Sequence, residues 1–319
     1  MLAAFVFESD LLQKKDRRIR TMIALQFTMF IMIFVGFLVR KLGIVGKEGQ
    51  KNITDLVIYV ILPCNIVKSF MVEFDTQTLY SFAGILLISV LIQAGCVLFG
   101  KIVYKNKETN RRKSLQYGII CSNAGFLGNP LAEGVFGTMG LTLASIYLIP
   151  QRIMMWSSGL AVFTGNTNKK EVIKKVVTHP CIIACVIGMI LMVTQIELPA
   201  FLTKSLQTLS NCNTAMSMMV IGMILAQVKG KNLVDKDIIV YTIFRLIIIP
   251  LIVWIPCLLL HVDSMVTGVS VLLAAMPAGA TTSILASKYG CDEIFATKLV
   301  VFSTLASLLT TPIWSYLLV

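Results

Sequence analysis

The stretch Cys121-Ser-Asn-Ala-Gly-Phe-Leu-Gly-Asn-Pro-Leu-Ala-Glu-Gly-Val-Phe-Gly137 decides how the chain must be read. It lies in an apolar run long enough to cross a bilayer, yet its middle is small and polar, which an uninterrupted lipid-facing helix avoids. Asn129 followed by Pro130 has the pattern of a helix start, an N-cap and then a proline whose missing N–H is no loss there. The expectation is two half-helices meeting near residues 125–129. Each half-helix end leaves backbone groups unpaired, and at membrane depth such groups survive only against protein, a cavity or a ligand. The plainer alternative is a proline and glycine kink satisfied by neighbouring helices.

Around this stretch the chain is apolar throughout. Of its 319 residues, 56% are hydrophobic and 14% charged, and the mean hydropathy is +0.83. That balance excludes an ordinary soluble domain. The apolar runs predict an all-α integral membrane protein with ten transmembrane helices at 22–39, 53–72, 79–100, 115–137, 141–164, 180–193, 205–228, 238–260, 265–289 and 294–318. Ten spans of about 20 residues each leave only short loops. A net charge of +12 would suggest nucleic acid in a soluble protein, but here Lys and Arg cluster in the loops, so no nucleic-acid partner is expected. Loops 40–52, 101–113, 165–175, 229–237 and the turn at Lys288 hold 18 basic residues, and the alternate loops hold only Lys204. The positive-inside bias therefore predicts a multi-pass cell-membrane protein with both termini extracytoplasmic.

Residues 1–21 form an N-terminal extension whose basic cluster (Lys14, Lys15, Arg17, Arg18 and Arg20) follows its short apolar run. A signal peptide has the opposite order, and Met22 stands directly before the first span as an alternative start. The eight cysteines contain no C-x-x-C pair and read as small buried hydrophobes, neither disulfides nor metal ligands. There is no H-E-x-x-H and no G-x-S-x-G, and His179 and His261 lie near span ends without ligand spacing. No enzyme activity, metal or cofactor is expected.

Five spans (22–164) precede the basic cytoplasmic connector 165–178 and five follow (179–319), so the second half enters from the opposite side, as an inverted repeat does. The fourth span of the second half carries its own interruption, Ala274-Ala-Met-Pro-Ala-Gly-Ala-Thr-Thr282. Interrupted spans at corresponding positions are the sequence mark of a transporter binding site.

With both interruptions placed, the sequence resembles the auxin efflux carrier family, which includes the plant PIN-FORMED carriers and bacterial proteins described as malate or malonate permeases. The resemblance is carried by Ser122-Asn-Ala-Gly-Phe-Leu-Gly-Asn-Pro130 and by Ala274-Ala-Met-Pro277 with Ala286-Ser-Lys-Tyr-Gly290. Weaker matches are Gly36 to Gly43, Leu62-Pro63 and Ile221-Gly-Met-Ile-Leu-Ala226. It implies two inverted five-helix repeats with broken, crossing helices 4 and 9, a scaffold of spans 1, 2, 6 and 7, and a moving body formed by the rest. Thr281 and Thr282 stand where family members commonly carry an Asn, and the connector is short.

The charges inside the spans point the same way. Lys68, Arg152, Arg245 and Lys298 are cations, Glu133 is the clearest carboxylate, and a positive interior favours an anionic solute. Half-helices beginning at Pro130 and Pro277 would aim positive dipole ends at the break. The candidate substrate site is Asn123, Gly125, Gly128, Asn129, Pro130, Pro277, Gly279, Thr281 and Thr282, with Glu133, Arg152 and Arg245 as charge or coupling candidates. The expected function is secondary active transport of a small organic acid anion by alternating access. A coupling proton or sodium ion and a homodimer are left open, and the rival readings are a cation–proton antiporter and a membrane channel or sensor.

Overall fold

A chain this apolar satisfies its backbone in a bilayer through helices, and the computed structural model is helical, with no strand among the residues it describes, 24–73, 76–165, 169–227 and 235–318. The extension 1–21 lies outside them. The elements are α1 Ala24–Lys41, α2 Lys47–Ser69, α3 Thr76–Val103, α4 Thr109–Ile120, α5 Ala124–Thr164 and α6 Lys169–Val177. After them come α7 Pro180–Thr194, α8 Ala200–Leu225, α9 Lys236–Leu259, α10 Ser264–Ala274, α11 Thr281–Lys288 and α12 Glu293–Leu317. Seven of these are long and apolar enough to cross a membrane, or eight if α6 and α7, bent by 57°, count as one. The expected count of ten treats the interrupted segments α4, α10 and α11 as parts of spans and divides α5 in two.

That division has a backbone cause. Within α5, Gly137 has φ 70° and ψ −161°, which ends one arm and starts the next. A positive φ is open to glycine at no steric cost, so the chain can turn at Gly137 where a residue with a side chain would be strained.

Prolines shape α2, α5 and α9 in a common way. Widened π-type turns cover Val57–Ile61, Ala124–Gly128 and Phe244–Ile248, each ending two residues before a proline (Pro63, Pro130 and Pro250). A proline inside a helix lacks the N–H for the i−4 carbonyl and its ring crowds that carbonyl. One extra residue in the preceding turn relieves the clash without stopping the helix.

Packing follows the small residues. A Cβ on Gly36 of α1 would meet the Met219 carbonyl oxygen at 2.2 Å, and one on Gly222 of α8 would meet the Ile33 carbonyl oxygen at 1.9 Å. The two helices touch backbone to backbone there, as membrane helices do through small residues. Next, α2 packs against α7 and α8, while α5 packs against α3 and α10. At one end of the molecule Lys107 pairs with Asp237 (2.6 Å), and Arg111 pairs with Asp235 (3.0 Å) and reaches Asp292 (4.0 Å). Three of the loops grouped together by charge in the sequence therefore meet at a single end.

Candidate functional site

The two interruptions lie side by side. The Asn123 N–H donates to the Pro277 carbonyl (2.7 Å) and the Gly279 N–H to the Cys121 carbonyl (3.0 Å), which makes Ser122 and Ala278 an isolated antiparallel bridge. Both starts differ from expectation. The first break is Cys121 to Asn123, and the helix resumes at Ala124; Asn129 sits inside it at φ −59°, ψ −51°, so it is no N-cap. The widened turn ahead of Pro130 absorbs the proline, which is why the helix begins upstream of the Asn-Pro signal. Pro277 likewise lies in the extended segment, and the second half-helix starts at Thr281.

The backbone groups that the breaks expose are met one by one. Gln151 Nε2 donates to the Ser122 carbonyl (2.8 Å), and Ser122 Oγ donates back to Gln151 Oε1 (3.2 Å). The Ala278 N–H donates to Ser303 Oγ (3.2 Å). Arg245, 2% exposed, donates from Nε to the Met276 carbonyl (2.9 Å) and from Nη1 to the Ile119 carbonyl (3.2 Å). Those carbonyls stand at the C-terminal ends of α10 and α4. A helix C-terminus carries roughly half a negative charge, so two such ends together offset about one guanidinium. This explains how Arg245 is buried with no carboxylate of the described residues paired to it.

Two side chains of the candidate substrate site remain unmatched. Asn129 is fully buried, and neither its amide oxygen nor its nitrogen has a hydrogen-bond partner; Thr282 Oγ1 is equally buried and equally unpartnered. Each belongs to the half-helix that follows its break, where first-turn N–H groups lack intrahelical acceptors. Gly128 brings the halves together, since a Cβ there would lie 2.5 Å from Leu273 Cδ2 and 3.2 Å from Met276 Cγ. A Cβ on Gly279 would lie 3.0 Å from the Cys121 carbonyl oxygen and 3.3 Å from Thr281 Oγ1. Beside Gly125 there is open space. Asn123, Gly128, Asn129, Pro130, Pro277, Gly279 and Thr282 are thus gathered within and beside the paired breaks, whereas Glu133 and Arg152 are elsewhere.

Glu133 joins a different polar cluster. Asn65 of α2 donates from Nδ2 to Glu133 Oε2 (3.3 Å) and to Ser210 Oγ (2.8 Å), and its Oδ1 accepts from Asn213 Nδ2 (3.2 Å). Ser217 Oγ extends the chain to Asn213 Oδ1 (3.3 Å). Asn65, Asn213, Gln151 and Ser303 carry no charge and lie outside the candidate set; each is an uncharged polar residue in an apolar run, which is the signal in the sequence that marks them. An apolar groove of about 320 Å³ between α3 and α9, lined by Ile92, Phe99, Val253 and Leu260 among others, includes no residue of the breaks and offers an anion no donor.

The profile of a family described as membrane transport protein, Mem_trans, matches residues 21–175 and 167–315. The chain belongs to this auxin efflux carrier family. As an auxin efflux carrier family member it is a membrane transporter. It is 26% identical over 301 residues to an uncharacterized transporter of Methanocaldococcus jannaschii, covering 90% of this chain and 96% of the relative. It is 26% identical over 300 residues to one of Methanothermobacter thermautotrophicus, covering 91% and 96%. To the uncharacterized transporter YfdV of Escherichia coli it is 21% identical over 299 residues, covering 90% and 94%.

Proposed function

We propose that this transporter carries a small organic acid anion, bound between the paired breaks and released to alternate sides as the helices bearing them move against α1, α2, α7 and α8. The observation that carries the reading is the unmatched pair, Asn129 and Thr282, fully buried with open hydrogen-bonding groups while the neighbouring break carbonyls are occupied. Unpaired buried polar groups are costly, and a solute that bonds them recovers that cost on binding. The sign of the solute follows from the dipoles. Arg245 occupies the negative ends of α4 and α10, and the positive N-terminal ends of α5 and α11 remain for a carboxylate.

The proposed frame has ten crossings in two inverted repeats, 22–164 and 179–319. It is supported by the turn at Gly137, which makes two arms of α5, and by the meeting of three basic loops at one end. That end is assigned to the cytoplasm of the cell membrane by its lysines and arginines. Glu133, held by Asn65 across from α5 to α2, is the candidate for proton coupling.

Proteoliposome uptake of radiolabelled mono- and dicarboxylates tests the reading. Asn129→Ala is expected to reduce uptake strongly and Asn52→Ala, on an exposed helix start, to leave it unchanged. Equal loss in both, or uptake of cations alone, would sink the site. Glu133→Gln is expected to keep substrate exchange and lose accumulation driven by a pH gradient; unchanged accumulation removes Glu133 from coupling.

A further inference from the structure

Arg152 and Trp156 stand one turn apart on the second arm of α5, so their side chains share a face. Successive helical residues point about 100° apart, so while Gln151 holds the first break, Arg152 is directed to α7. The Arg152 guanidinium, 7% exposed, rests against the Cys181 thiol in the first turn of α7. Its Nη1 has no hydrogen-bond partner, and neither has the buried indole Nε1 of Trp156. No carboxylate among the described residues pairs with Arg152. Lys175 of α6 lies over the Trp156 ring, 5.3 Å from its centroid. His179 Nδ1 accepts the Cys181 N–H (3.3 Å), which leaves Nε2 to carry the proton of a neutral imidazole, and the Arg152 charge is near enough to be felt there. The corner between α5, α6 and α7 is therefore a collection of donors and positive charge, and among the described residues no carboxylate supplies the acceptor.

The setting says what that acceptor is. α6 carries Lys170, Lys174 and Lys175 together with Ile173 and Val177, which are 62% and 61% exposed. A short helix with lysines and exposed aliphatic side chains lies in a membrane interface, and basic pockets between transmembrane helices at that depth attract lipid headgroups. We propose that this corner binds the phosphate of an anionic phospholipid, with Arg152 Nη1 and Trp156 Nε1 donating to its oxygens and Lys175 at the rim. The site is separate from the breaks and stands whether or not the solute binds there.

The test uses full-length protein in lipid-free micelles, titrated with phosphatidylglycerol, phosphatidylcholine or inorganic phosphate at constant ionic strength, and read by thermal shift and native mass spectrometry. Phosphatidylglycerol is expected to bind about tenfold tighter than phosphatidylcholine, since charge is the difference between them. Trp156→Phe keeps the ring and the Lys175 contact and is expected to weaken that binding about fivefold, the worth of one hydrogen bond, with Arg152→Gln weakening it further. Lys105→Gln, an exposed loop lysine, is the control and binds as the wild type does. If inorganic phosphate stabilises the protein as well as the lipid does, and Trp156→Phe removes that gain, the phosphate chemistry stands and the lipid assignment is overturned. Equal binding of the two lipids, or unweakened phosphatidylglycerol binding by folded Trp156→Phe, overturns the proposal and leaves the two donors to water.

Discussion

Arg245 and Arg152 are both buried, at 2% and 7% exposure, and among the described residues neither pairs with a carboxylate, yet their surroundings differ completely. Arg245 forks onto the carbonyl ends of two half-helices, so the backbone itself is its counter-charge. Arg152 keeps an open Nη1 next to another open donor, with more positive charge nearby. The contrast teaches that burial of a cation does not by itself mark function. What matters is whether the groups that would neutralise it are part of the chain, because an uncompensated buried charge is tolerated only where something else supplies the missing sign.

The sharpest way to break this contrast is to remove Arg245. Arg245→Met leaves the Ile119 and Met276 carbonyls without their donor, and at about 1–3 kcal/mol for each stranded group the loss should approach 3 kcal/mol or more in detergent unfolding. Arg245→Lys should recover only part of it, since one ammonium cannot reproduce the planar fork. Wild-type unfolding in Arg245→Met would mean that the dipole account is wrong.

Asn129→Ala sharpens the opposite side. Because the amide makes no internal hydrogen bond, its loss should cost less than about 1 kcal/mol of stability while uptake falls about tenfold, the equivalent of about 1.4 kcal/mol. A large stability loss with normal uptake would make Asn129 a structural residue.

Gln151 and Arg152 are neighbours in sequence with opposite surroundings. Gln151→Met strands the Ser122 carbonyl and should cost about 1 kcal/mol, whereas Arg152→Met removes a charge that no carboxylate among the described residues offsets and should be neutral or slightly stabilising in lipid-free micelles. Differential scanning fluorimetry of the two variants measures this directly; a reversed order would return Arg152 to the same class as Arg245. The smallest effect belongs to the exposed pair Lys107–Asp237, where Lys107→Ala should shift stability by under about 0.5 kcal/mol, and high salt should erase the shift.

The fold was legible wherever a pattern was local. Apolar run length marked the helices, and the turn between two arms of α5 falls at Gly137, the residue at which the fourth expected span ended. The alternation of basic loops groups Lys107, Lys236 and Lys288, and ion pairs join their loops. The break itself was misplaced by a few residues, because Asn-Pro is a helix-start signal only when no neighbouring turn can widen to absorb the proline, and Ala124–Gly128 does so. Pro277 misled for a related reason: it begins no helix and instead lends its carbonyl to Asn123.

The sequence by itself determined that this chain is a helical membrane protein of the auxin efflux carrier family with two interrupted segments rich in small and polar residues. Those features depend on composition and on spacing within about twenty residues, which set membrane depth and backbone conformation locally. Only the tertiary structure decided which polar groups answer one another. Ser122 meets Gln151, 29 positions away; Ala278 meets Ser303; and Arg245 meets carbonyls 126 positions before it and 31 after it. A carbonyl is present at every residue, so no side-chain pattern reveals which one a guanidinium will reach. The residues left open for a ligand emerge only when every such pairing has been made in space.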